Sequence, residues 1–486
     1  MSPSYIKSRD ISTNKWVVLT IVSLGTILTT LDGGMVQVGY PALAKAFNLD
    51  PSDILWVTVS FWITSVGLML TLGWIGDVAG RKNMFVLGFL IFSIALISAS
   101  LSQYFWQLIV SRILQGVGSA LLLSNLNALI TTAFPEEERG TAIGISGGVV
   151  GVGLTVGPLA AGMLLDMFDW RVMMYSKVPI GVLGAILGWY YLRKDTVIRR
   201  KYRIDLLGAL ALFGSMATFL IFINKGGKDG FNTSIPLIMV PLCIIFLTLY
   251  IRSEFRSLRP IFELQLFNNS YYSIGVLLHF CHYLAHGGLV LIGPFYMINS
   301  LGYSYATTGF VIACFYLTRS FLAPIAGKLS DHFSPFLFTM MGNLLLGTGI
   351  IWISFLDLNT SPFKFAIAMS VASSGVALVE PVLTSVIMGS VPKDRIGTAS
   401  AVIGAGRQLA FAVGIAIAGA VFSTTQRMHL NSYIVEGRES ITTVTEASTI
   451  GFRYSVIAGS IFAFIAVILS IRLSGYTSHA SKRIGN

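Results

Sequence analysis

Runs of about 20 apolar residues recur fourteen times along this chain, and that succession limits the possible folds more than any other feature. They cover roughly 16–39, 54–76, 84–101, 105–132, 142–165, 172–192, 205–224, 235–251, 271–298, 305–327, 335–356, 363–390, 396–424 and 453–472. No water reaches the core of a bilayer, so each run must satisfy its own backbone as an α-helix. The two-residue alternation of a membrane β-barrel is absent. Only 11% of residues are charged, whereas a soluble domain carries roughly 25%. The expected fold class is therefore an all-α polytopic membrane protein. The N-terminus lacks a cleavage site of the signal-peptide type, and the run from Trp16 reads as a retained start-transfer anchor.

The links give the orientation, because Lys and Arg concentrate on the cytoplasmic side of a membrane protein. With the N-terminus inside, twenty-one of the 33 basic residues fall in inner links, eight in outer links and four within spans. The densest inner link is 193–203. Both termini are thus expected in the cytoplasm. The polar segment 425–452 is expected outside, as a loop rather than an ordered hairpin or lid. The net charge of +11 does not indicate nucleic acid, since the basic residues are spread over many links and form no patch. Cys243, Cys281 and Cys314 lie in apolar runs and read as buried thiols.

Two links occur twice. Gly73-Trp-Ile-Gly-Asp77-Val-Ala-Gly80-Arg81-Lys82 joins the second and third runs, and Gly327-Lys-Leu-Ser-Asp331-His-Phe-Ser-Pro335 joins the tenth and eleventh. A Pro-acidic-Arg-Gly-Thr-Ala pattern follows the fourth run, from Pro135, and the twelfth, from Pro392. The chain then divides into an N-terminal six-helix bundle (1–192), two inserted helices with their flanking links (193–270) and a C-terminal six-helix bundle (271–486). Eight helices separate the copies, so both run the same way through the membrane.

An ionisable side chain at membrane depth is costly unless paired or hydrated, so each is a candidate functional site. Asp32 in the first run and Glu380 in the twelfth are candidate proton or cation carriers, and Pro381 is expected to bend the helix beside Glu380. For Asp32 the alternative is a permanent ion pair. Arg112 keeps its charge and must face a cavity or a partner. Arg319 and Arg407 either neutralise Glu380 or hold an anion. Lys177, near the outer end of its span, is expected to snorkel to the interface. His279, His282 and His286 share one helix face; pore lining, substrate contact and proton relay stay open. No carboxylate or thiol completes a metal set with them, so no metal is expected. Gln37 and Gln115 are candidate cavity residues. Gly153, Gly157, Pro158 and Gly162 flatten one face of the fifth run for close packing and suggest a hinge and seal between halves. No phosphate-binding loop or soluble nucleotide domain is present, so the chain does not read as an enzyme and needs no cofactor; an ion gradient is the expected energy source.

Taken together, these stretches resemble the major facilitator superfamily, and within it the fourteen-helix drug:proton antiporters. Gly73, Asp77, Gly80 and Arg81 match the link between helices 2 and 3, which in that family is a charge latch. Arg112, Gln115 and Gly116 match the helix-4 motif associated with proton coupling. Gly148–Gly162 is similar to the helix-5 antiporter motif, and Asp32–Pro41 to the first-helix motif. The chain departs from the family at Val78, Gly34, Gln37, Phe61 and Lys177, positions that line the expected cavity.

The resemblance implies an alternating-access exporter that exchanges protons for an amphipathic or cationic organic compound, of the multidrug-efflux type. Asp32, Arg112 and Glu380 would couple the proton. A lipid or anionic metabolite is the alternative substrate, and a receptor or scaffold that does not transport is the alternative class. The expected setting is the lipid bilayer of a bacterial inner membrane, with the protein a monomer that binds a small molecule and protons but no nucleic acid. Because the second link lacks the Gly-basic pair of the first, Asp77→Asn is expected to lower transport more than Asp331→Asn. Equal losses in a vesicle transport assay would show that the two links share the gating work.

Overall fold

The computed structural model describes residues 14–193, 206–256, 264–330, 332–392, 395–435 and 441–484. Asp331 and most of the 193–203 cluster lie outside the described residues. Asp77 lies on a described helix, but its side chain is likewise outside them.

A helix occupies each predicted run, and no strand occurs among the described residues. The helices are α1 (Lys15–Phe47), α2 (Pro51–Ala79), α3 (Arg81–Ser100), α4 (Phe105–Ala133), α5 (Glu136–Met167), α6 (Trp170–Tyr175), α7 (Val178–Tyr191), α8 (Leu206–Asp229), α9 (Ser234–Arg256), α10 (Ser270–Phe295), α11 (Tyr305–Ser330), α12 (Pro335–Ser354), α13 (Pro362–Gly389), α14 (Ile396–Val435) and α15 (Ile441–Ile484). Twelve spans among the described residues are long and apolar enough to cross a membrane. In α2 and α8 the apolar stretches, Asp53–Met69 and Leu210–Ile223, are shorter.

One expectation needs correction. The described residues of 425–452 are helical rather than a loop: α14 continues to Val435 and α15 begins at Ile441. Gln426 Nε2 donates to Ser448 Oγ at 2.8 Å across this pair, and Phe452 stacks on Tyr296 with centroids 4.0 Å apart. A helix that leaves the bilayer can keep its backbone bonds while its surface turns polar, so hydropathy alone ends it too early. Helix α13 continues through Pro381.

One residue joins α2 to α3. Gly80 has φ +97°, a left-handed region that favours glycine, so the chain reverses without a loop. Gly73 and Gly76 then bring α2 against Ser124 and Asn125 of α4. Helices α1–α7 pack among themselves, as do α10–α15, and α8 with α9 forms a hairpin whose α8 lies against both α2 and α14. The two groups meet along α5–α11 and α2–α14.

The α5–α11 contact is close over one half of α5 only. A Cβ at Gly162 would lie 2.8 Å from Ala306 Cα, one at Gly309 would lie 3.0 Å from the Pro158 carbonyl carbon, and one at Gly151 would lie 2.9 Å from Ser320 Cβ. Gly144, Gly147 and Gly148, on the same stripe nearer the chain termini, would meet nothing within 4 Å. The two groups therefore touch at the end away from the termini, the distal end, and splay toward the terminal end. Leu55 against Gly419 closes the distal end on the α2–α14 side. Asp166 closes it on the other, accepting backbone N–H bonds from Tyr305 and Ala306, both at 2.9 Å. These first-turn amides of α11 have no partner within their own helix; their cap comes from the other half of the molecule.

Candidate functional site

Asp32 lies halfway along α1 and is fully buried. Arg112 Nη1 of α4 donates to its Oδ2 at 2.7 Å, and Lys177 Nζ donates to its Oδ1 at 2.5 Å. All three side chains are at most 2% exposed. Arg112 Nε also donates to the Val57 carbonyl of α2 at 2.7 Å, Nη1 reaches Gln115 Oε1, and the guanidinium lies 4.6 Å from the Phe61 ring centre. One carboxylate thus ties together α1, α2, α4 and the junction of α6 with α7.

The position of Lys177 corrects the snorkelling expectation. The span breaks after Tyr175, and Lys177 caps α7 with Pro179 just inside it. That break turns the ammonium inward. Sequence alone shows a lysine near a helix end, which can reach either way. The alternative weighed for Asp32, an ion pair, is the arrangement observed, with two cations in place of one.

A second cluster surrounds Glu380 on α13. Tyr283 of α10 donates its hydroxyl to Oε1, and Arg319 of α11 donates to Oε2. Arg407 of α14 reaches Oε1 at 3.4 Å. This cluster is open: Glu380, Arg319 and Arg407 side chains are 17%, 21% and 45% exposed. All three histidines are buried. His279 and His286 flank the Tyr283 ring at 4.9 and 5.1 Å. His282 turns to Asn343 Oδ1 of α12 at 2.8 Å, and its Nε2 is buried with no hydrogen-bond partner. No three His, Cys, Asp or Glu side chains converge as a metal site among the described residues.

Between the clusters lies a small cavity lined by Gln37, His286, Phe315, Tyr316 and Met369, with room for about one water. Tyr316 donates to Gln37 Oε1 at 2.9 Å across the two helix groups. The glycine motif divides its work: Gly153 and Gly157 press on Thr30, Leu31 and Gly34 of α1, whereas Gly162 and the Pro158 carbonyl face α11.

Sequence reasoning missed Tyr283, Asn343 and Asp166. Tyr283 sits inside the histidine stretch, one turn from His279, and that spacing would have found it. The other two carry no sequence signal, because their partners are 61 and about 140 residues away.

The model of the Major Facilitator Superfamily matches residues 22–415 and again 275–485. The chain belongs to this superfamily. It is 28% identical over 449 residues to the riboflavin transporter RibZ of Clostridioides difficile, covering 91% of this chain and 97% of that one. It is 27% identical over 424 residues to the multidrug resistance protein Stp of Mycobacterium tuberculosis (86% and 79% covered). With the lincomycin resistance protein LmrB of Listeria monocytogenes the identity is 23% over 430 residues (88% and 90% covered). Among solved structures, a bacterial homologue of the human lysosomal transporter Spinster has the same fold, with a TM-score of 0.70 at 17% identity over 95% of this chain and 97% of that one. The chain is a multi-pass membrane transporter of the major facilitator fold.

Proposed function

We propose that this superfamily member exports amphipathic organic compounds in exchange for protons, by alternating access. The observation that carries the reading is the one-ended contact between the two helix groups, closed by Asp166 and Leu55 and splayed from Gly148 toward the termini. Glu380 lies in the partly exposed cluster, while Asp32 is sealed. This orders the two carboxylates. Glu380 exchanges its proton with the open side, and Asp32 keeps the N-terminal helices in register. The termini are cytoplasmic in this reading, so the conformation is inward-open, and fourteen helices cross the inner membrane of a bacterium. Relatives named for multidrug resistance and riboflavin transport support an organic substrate. The protein acts as a monomer, and the Gly73–Arg81 link with Asp77 is its gating latch.

The test is dye accumulation in inverted vesicles, with and without an imposed pH gradient. The gradient is expected to accelerate uptake by the unaltered protein, and Glu380→Gln is expected to abolish the acceleration. Uptake indifferent to the gradient overturns the antiport reading. Glu380→Gln that keeps the full response removes Glu380 from the coupling step.

A further inference from the structure

At membrane depth the charges are unequal. Among the described residues two carboxylates, Asp32 and Glu380, face four cations: Arg112, Lys177, Arg319 and Arg407. Each carboxylate holds two of them, so each cluster carries formal charge +1, and any proton on the neighbouring histidines adds to it. A cleft lined by one sign of charge concentrates ligands of the opposite sign.

Neither carboxylate is available to a cationic ligand. Both oxygens of Asp32 are taken, one by an ammonium tethered to the same chain. To reach Asp32, a cation would have to displace Lys177 or Arg112 and leave it buried without a partner, at several kcal/mol. Both oxygens of Glu380 are engaged as well.

The cations of the second cluster are differently placed. Arg407 reaches Glu380 only at 3.4 Å and is nearly half exposed. A guanidinium offers five N–H donors in a planar fork suited to a carboxylate, sulfonate or phosphate. One turn along α11 from Arg319 stand Phe315 and Tyr316, which wall the small cavity, and one turn along α14 from Arg407 stands Phe411 against His286. Aromatic surface and positive charge thus share the same two helices.

We propose that the transported compound is an aromatic organic anion, whose acidic group is received by Arg407 with Arg319 and whose ring packs against Phe411, one turn from Arg407 on α14. This rests on the transporter reading above and adds the class of its substrate. Lys177 serves it by occupying the place a cationic compound would take at Asp32.

The purified full-length chain is titrated in detergent with fluorescein, an aromatic anion at neutral pH, and with ethidium, an aromatic cation, by fluorescence anisotropy. Fluorescein is expected to bind saturably, with ethidium a poor competitor. Arg407→Gln is expected to weaken fluorescein binding by about 10–100-fold, the loss of a hydrogen bond to a charged group. Arg407→Lys, which keeps the charge and loses the fork, is expected to fall between. Absence of fluorescein binding, displacement by ethidium at equal concentration, or Arg407→Gln binding fluorescein as the unaltered chain does, each overturns the proposal. The vesicle assay is separate: gradient-driven uptake of ethidium in preference to fluorescein sinks the anion class and leaves proton-coupled export standing. Fluorescein binding without gradient-driven uptake does the reverse.

Discussion

Asp32→Asn is expected to be the most damaging single change at membrane depth. It leaves Arg112 and Lys177 buried at 2% exposure or less, close together and without a counter-charge. Removing one member of a buried ion pair typically costs about 3–5 kcal/mol, mostly as the penalty of the abandoned charge. Here two charges are abandoned, and they join four elements: α1, α2, α4 and the α6–α7 junction. The variant should unfold at clearly lower temperature in detergent and lose transport. Cys281, buried at 6% exposure, makes a convenient reporter when a thiol-reactive dye follows unfolding. Lys177→Met alone leaves a one-to-one pair and should be much milder. Asp32→Asn combined with Lys177→Met should recover a large part of the lost stability, because only one unpaired cation remains. If Asp32→Asn melts with the unaltered protein, the triad does not hold the N-terminal helices together.

The second large effect is expected at Gly309. A Cβ there would lie 3.0 Å from the Pro158 carbonyl carbon and closer still to its oxygen. Backbone atoms cannot rotate away, so α5 and α11 must separate. Overpacking of this kind costs about 1–3 kcal/mol, and about 1.4 kcal/mol is a tenfold change in an equilibrium. Gly309→Ala should therefore shift the population by about 5- to 100-fold away from the distal-closed state and slow transport. Pairs of spin labels across the distal end would read the shift as longer distances. Gly147→Ala, on the same α5 stripe but with nothing within 4 Å, is the matched control and should leave the distances unchanged. If both variants behave alike, the close packing is not the seal.

Much of this architecture is visible in the residues themselves. Apolar runs separated by short charged links give the helices, since a bilayer allows little else. The costly charges Asp32, Arg112, Arg319, Glu380 and Arg407 stand out for the same reason, and all five fall in the two clusters. What stayed hidden depended on direction or distance. The inward turn of Lys177 follows from a helix break at Ser176, which a continuous apolar run conceals. Asp166 reads as an ordinary acid at a helix end until the first turn of α11 is placed beside it. The polar ends of α14 and α15 look like a loop because helices in water need no apolar run.

The α8–α9 hairpin has a consequence for how the protein meets its solvent. By lying against α2 and α14 it curtains one of the two seams between the halves, and among the described residues no inserted helix does so at α5–α11. The splayed part of that second seam is lined by Gly144, Gly147 and Gly148, which block nothing. The two seams are therefore unequal: among the described residues the inserted hairpin covers one and leaves the other bare.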